Sequence, residues 1–543
     1  MVSCWLSSIT FVTAWQQAPS APPTPRAVVT GKPGSLFVTS ETCLVCHNGL
    51  STAGGEDISI GTSWRASMMA NSSRDPYWQA SVRRELLDRP AAAAAIEHEC
   101  SVCHMPMSHS AELAARRPAT IFEHLPLNQR REAMDLLAAD GVSCAICHQI
   151  QPDRLGSPES FTGGYVIDTT VPFEKRPAFG PYKIERGQTT IMNSATGLVP
   201  TEGLHVRQSE LCATCHTLYT TALGPDGQAI GRLPEQVPFL EWQHSEYRET
   251  RSCQACHMPV VEEPTRIASV LGEQRENMSR HTFIGGNFFI LRMLNRYRSE
   301  LDVAAQPAEL DRETSGTLEM LRERTARISI DRAALSAGRV IVDVTVDNLT
   351  GHKLPTAYPS RRAWLHLTIH DGSGKVIFES GRLASNGSID GNDHDADGSR
   401  FEPHYTEIDS APQVQIYESI LGDPNGGVTT GLLSAVDYLK DNRLLPKGFD
   451  KETAVADIAV RGGARADADF GGGGDRVRYS IDAAGAQGPF TVDAELLYQP
   501  IGFRWARNLD AYRAPEPQRF VRYYTEMGGG GAATLARATA LAR

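Results

Sequence analysis

The chain has 543 residues, 41% hydrophobic and 22% charged, which excludes a disordered protein and leaves room for three or four domains. No apolar run approaches the ~18 residues of a membrane-spanning helix, and a formal charge of −11 argues against a nucleic-acid binder. The basic residues are uneven, 8 Lys against 45 Arg.

Residues 1–35 read as a signal segment and linker. Trp5 to Trp15 is moderately apolar, and Val12-Thr13-Ala14 suits a small-residue cleavage site, but no Lys or Arg precedes Arg26. Cys4 offers a second route, a lipidated cysteine that would tether the chain to a membrane. Residues 16–35, rich in Pro, Ala and Ser, read as a flexible linker.

Residues 36–307 hold the chemistry. Ten of the 11 cysteines fall in five C-x-x-C-H frames: Cys43/Cys46/His47, Cys100/Cys103/His104, Cys144/Cys147/His148, Cys212/Cys215/His216 and Cys253/Cys256/His257. This spacing is the attachment signal of c-type haem. Two thiols add across the two vinyl groups on one porphyrin edge, and the adjacent His binds the iron. A single frame would also suit a redox dithiol or half a zinc site; five, each with its His, read as five haem c groups. Residues 43–257 carry all five motifs, about 43 residues each. That is too little chain to bury a side-chain core around every ring, so haem should form much of the interior, wrapped by short helices and loops. Folding should then depend on haem. The Arg excess suits bidentate contacts to haem propionates, or reflects only the base composition of the gene. Because thioether attachment is made outside the cytoplasm, the chain is expected to be exported, to the periplasm or to the outer-membrane or extracellular side.

Eleven further His could supply sixth ligands. The candidates are His98, His124, His205, His281 and His352, then His109 and His244, with solvent exposure or a propionate hydrogen bond as the alternative. His281 opens His-Thr-Phe-Ile-Gly-Gly, where glycines permit close approach to a flat ring. His352, in Gly-His-Lys-Leu-Pro-Thr, lies beyond the last motif and would bolt the C-terminal half to the haems. His366 and His370 alternate with Leu365, Leu367 and Ile369 and read as bystanders on a strand. Met68 and Met69 could give the first haem a thioether ligand, which would raise its potential, or serve as core filler.

Residues 308–327 predict a charged connecting helix. After it, period-two runs at Val340–Val346, Trp364–His370, Val376–Phe378, Val414–Tyr417, Val477–Ile481 and Phe490–Tyr498 predict an antiparallel β-sandwich-like domain over 328–510. Residues 511–543 read as a tail, and the fold class is α+β. Asp393, Asp395 and Asp397 alternate before Gly398, which suits either a calcium site outside the EF-hand pattern or a solvated acidic turn.

The five motifs, Cys-His-Met-Pro after the second and fifth, the His281 run and the Gly351–Thr356 run resemble exported bacterial multihaem cytochromes c. The nearest group is the one related to the tetrahaem cytochromes of ammonia oxidisers and to hydroxylamine oxidoreductase. The resemblance spans roughly residues 40–360 and implies a haem-packed fold. It also implies a distal-ligand role for His352, while the Met pair departs from the His common in that region of the family.

Two functions follow. Closely spaced haems, each capped on both sides, would relay electrons between redox partner proteins or to an extracellular acceptor, alone or as a homo-oligomer or filament. Alternatively, one open iron would make the chain a reductase or oxidase of small nitrogen or sulfur species. The Lys-bearing motif usual in pentahaem nitrite reductases is absent from this sequence. A structural or adhesion role for the β-rich half is a third, weaker reading.

Overall fold

The computed structural model describes residues 35–129 and 132–543. The cleavage-site and Cys4 expectations lie outside the described residues. Each attachment motif forms about one helical turn. His47, His148 and His216 donate their backbone N–H to the carbonyls of Cys43, Cys144 and Cys212 at 3.1, 3.0 and 2.9 Å. Residues i, i+3 and i+4 share one face of such a turn. Both sulfurs and the imidazole of a motif therefore emerge on the same side.

The helices carrying the motifs are short: Ser40–Leu44, Ala93–His104, Cys144–Cys147, Ser209–Ala213 and Cys253–His257. Their apolar packing is fragmentary, as in the small group of Trp78, Ile96, Met105 and Ile121. Two further helices, Phe288–Arg296 and Pro307–Arg324, close the region. The second starts with Pro307 at its first position and a reciprocal Gln306/Glu309 cap, which satisfies two otherwise free N–H groups. It covers most of residues 308–327.

The C-terminal half contains two sheets. In the seven-stranded one the central path runs Val428–Thr429, Ile416–Gly422, Arg362–His370, Phe490–Gln499, Ala533–Ala542. The four-stranded one runs Glu407–Ile408, Gly474–Asp482, Arg339–Asn348, Ala326–Ser336. Arg339–Asn348 alternates buried and half-buried residues along its length, the pattern of a strand with one covered face. Val340, Val342, Val344 and Val346 share one buried cluster with Leu365, Leu367, Ile369, Val492, Ala494 and Leu496 of the other sheet. The chain is thus α+β, and its largest apolar cluster is centred on the two C-terminal sheets. Leu367→Ala should cost about 2–5 kcal/mol, because the site is sealed and collapses only partly; a lowered denaturation midpoint of the C-terminal half, followed by tryptophan fluorescence, checks this.

Residues 511–543 are not a tail. Helix Pro515–Met527 buries Phe520, Tyr523 and Tyr524, and Ala533–Ala542 pairs antiparallel with Phe490–Gln499.

The acidic turn is not a calcium site. Asp395 is buried and held by both Arg362 Nη atoms at 2.8 Å, Asp393 pairs with Arg400, and Asp397 caps its own turn through Ser399. Three carboxylates with three separate partners do not converge on an ion.

Another acidic group, His404, Asp467 and Asp475, is close enough to suggest a metal. Its hydrogen bonds speak against one. The Gln415 side-chain oxygen accepts from the Tyr405 N–H at 2.8 Å, and that of Asn442 accepts from the Glu418 N–H at 3.0 Å. Both amide nitrogens therefore donate to His404 Nδ1, at 2.9 and 3.1 Å. Nε2 carries the proton and donates to Asp467 at 3.0 Å, so neither nitrogen of the neutral ring is left for a metal.

Candidate functional site

A cavity of about 1280 Å³ runs through the motif-bearing half. It exceeds the ~300–1,000 Å³ of an ordinary small-molecule pocket. All ten motif cysteines and all five motif histidines line it, joined by His281 and His352. The cysteine thiols stand where a haem-loaded chain would have thioether sulfurs, and they meet across motifs. Cys43 contacts Cys144, Cys103 contacts Cys215, and Cys212 contacts Cys253. Cys147 lies within electrostatic range of Cys215. Motif one is therefore next to motif three, motif three is near motif four, and motifs two and five flank motif four. Sequence order does not reveal this arrangement.

The histidine geometry is more specific. The His257 and His352 rings lie 6.3 Å apart, centre to centre, with planes 12° from parallel. His148 and His281 lie 6.4 Å apart at 19°. Two metal–imidazole bonds of about 2.0–2.1 Å each, plus ~1.1 Å from nitrogen to ring centre on each side, give roughly 6.3 Å. The observed centre-to-centre distances match two imidazoles sharing one metal ion.

Backbone carbonyls orient the rings. Nδ1 of His257 bonds Ile284 O at 2.5 Å and that of His352 bonds Lys353 O at 2.9 Å. Nδ1 of His148 bonds Phe179 O at 2.5 Å and that of His281 bonds Ser279 O at 3.0 Å. His47 does the same with Ile267 O at 2.6 Å and His104 with Ser72 O at 3.2 Å. A proton on Nδ1 leaves Nε2 as the ligand atom, the usual support of a metal-binding His. Burial pushes His104, His216, His281 and His352 down to about 4, which keeps their rings neutral as iron requires. The indole of Trp78 lies flat on His104 at 4.4 Å.

The other distal candidates are elsewhere, and none of them lines the cavity. His124 is held between Glu112, at 3.3 Å, and Asp135, at 2.8 Å, so both nitrogens face carboxylates. His98 and His109 face each other, Nδ1 to Nε2, at 3.3 Å. His205 spends Nε2 on Ile150 O at 3.0 Å. His244 turns Nδ1 to Leu240 O and its ring toward Phe449. Met68 and Met69 do line the cavity, in the bend between helices Ile60–Ala66 and Pro76–Asp88.

Among the described residues no imidazole is paired with His47, His104 or His216 across a metal-sized gap. Beside the second motif the wall turns polar, with Asp75, Tyr77, Glu85, Glu99, Glu235 and Tyr358. Burial pushes Asp75 up to about 6 and Glu235 up to about 7. Sequence reading passed over these residues, and also Glu241, although a carboxylate set among Phe239, Leu240 and Trp242 is itself a signal of a buried role.

Glu313 lines the cavity too, and burial pushes it up to about 8 from its usual 4.5. Between those values the folded chain holds a proton that the unfolded chain has lost, so stability falls as pH rises through the window. The slope is at most about 1.4 kcal/mol per pH unit. Glu313→Gln should match the parent near pH 4 and exceed it at pH 8, as denaturation midpoints at the two pH values would show.

The cavity and its donors fit covalently held haem: paired sulfurs and an imidazole on one face, with a second imidazole across a metal-sized gap at two motifs. No protein-family model matches the chain, and no curated protein does. Among solved structures, a penta-heme cytochrome c552 from Thermochromatium tepidum is similar in fold, with a TM-score of 0.50 and 16% identity. The match covers 94% of this chain and 100% of that one.

Proposed function

We propose that the chain is an exported multihaem c-type cytochrome that relays electrons through five covalently bound haems. The carrying observation is that the five attachment motifs open into one cavity and meet one another through their cysteines. Haems attached there would be close neighbours, which suits electron transfer between them. His257 with His352, and His148 with His281, would hold two irons from both sides. Bound haem supplies the one-electron chemistry. The protein's residues fix the ligands through backbone carbonyls, keep the imidazoles neutral and exclude water. The fold likeness to a penta-heme cytochrome supports the same reading. Redox proteins, or an acceptor outside the cell, are the partners that such a relay would serve. A coulometric titration under inert gas tests it: uptake of five electrons per chain is expected, and uptake of fewer argues against it.

A second reading is favoured by a specific observation. His47, His104 and His216 face no imidazole across such a gap among the described residues, and carboxyl groups, Glu85 and Glu235 among them, stand near Cys100 of the second motif. One of those irons would then take a small nitrogen or sulfur species, with Glu235 able to give a proton. Low-temperature EPR before and after addition of nitrite or hydroxylamine separates the readings: a high-spin signal that shifts supports reduction, and an unchanged low-spin spectrum supports the relay.

A further inference from the structure

We propose that Glu241 is the positioning residue for the sixth ligand supplied by His352. This rests on the haem reading above. Glu241 sits on the short helix Pro238–Gln243 of the motif-bearing half and is fully buried. Its Oε2 accepts the backbone N–H of Lys353 at 3.0 Å and the hydroxyl of Thr356 at 2.5 Å. Its Oε1 faces Arg443 Nη1 at 3.1 Å. Lys353 is the residue after His352, and its carbonyl is the group that orients the His352 ring.

One carboxylate from the haem side therefore grips the peptide on which the ligand is hung. Around it, Lys353 Nζ pairs with Asp441 at 2.6 Å and Arg443 Nε bonds Asp441 at 2.8 Å. Two buried cations and two buried anions balance. Such a set adds little net stability, since desolvation offsets attraction, but it fixes register. Register is what a ligand needs, because a metal site tolerates only about 0.5 Å of misplacement. Tyr247 Oη, bonding Leu349 O at 3.1 Å, is a second tie from the same half, but it lies three residues before His352.

The test uses the haem-loaded protein, with EPR and imidazole or cyanide binding as readouts. His352→Ala is expected to open one iron, and Glu241→Ala to open the same iron in a large share of molecules. The double variant should open no more than His352→Ala alone. Glu241→Gln, which can still accept from Lys353 and Thr356, should restore most of the low-spin signal. If His352→Ala opens no iron, the assignment of His352 as a ligand fails first. If it opens one while Glu241→Ala opens none, or if the double variant opens a second iron, the positioning role is overturned. Should Glu241→Ala fail to fold, Thr356→Val removes one of the two grips and is expected to open that iron in a smaller share of molecules; full retention of the low-spin signal then overturns the proposal.

Discussion

Replacing His281 by Ala is expected to open one iron to added imidazole, and replacing His352 is expected to open a different one. Each ring is paired with its own motif His, His148 for the first and His257 for the second, across a gap of 6.4 and 6.3 Å. Loss of either ring removes the imidazole that faces the second side of its iron, so a low-spin iron should become high-spin and bind the added ligand. The two effects should add, because the sites use separate proximal ligands. Absorbance near the haem bands, with imidazole titrated into each variant, reads the result. A variant that keeps its low-spin spectrum and ignores imidazole would contradict the pairing at that haem.

Asp441→Asn is expected to cost about 3–5 kcal/mol, the usual penalty for breaking a buried ion set by removing one partner. Lys353 and Arg443 would be left with one carboxylate, that of Glu241, between them. The parent should also show an acid dependence that the variant lacks. Burial alone would raise the Asp441 carboxyl, but Arg443 and Lys353 outweigh it and hold it well below the usual carboxylate range. A depressed folded value means that this stabilisation is present above about pH 4 and is lost as pH falls below it. Denaturation midpoints of parent and variant should therefore converge below pH 4. Parallel curves from pH 7 to 3 would show that the pair carries no such linkage.

What could be read from sequence depended on the range of each signal. The attachment motifs were legible because thioether chemistry demands five contiguous residues. Strands such as Arg339–Asn348 were legible because one face is covered, which writes a period of two into the chain. The distal candidates differ in whether they line the cavity. His352 stood in a Gly-His-Lys-Leu-Pro setting and His281 beside two glycines, and both face the cavity. His124 looked similar, but Glu112 and Asp135 come to it from neighbouring elements, and its own sequence setting did not reveal either contact.

The calcium expectation failed for the same reason: the partner of Asp395 is Arg362, on a strand 33 residues earlier. Ala533–Ala542 was passed over because its buried positions hold mainly Ala and Leu among Thr and Arg, so its alternation carries little apolar contrast. Helix Pro515–Met527 did carry a signal, Phe520, Tyr523 and Tyr524 at helical spacing, in a stretch set aside for its glycines. The cysteine contacts that order the motifs in space have no local sequence signature.

The most direct measurement is anomalous diffraction at the iron edge from crystals of the haem-loaded protein. Five iron positions per chain are expected, one between His257 and His352 and one between His148 and His281. Fewer than five irons, or either of those two gaps without one, would contradict the assignment.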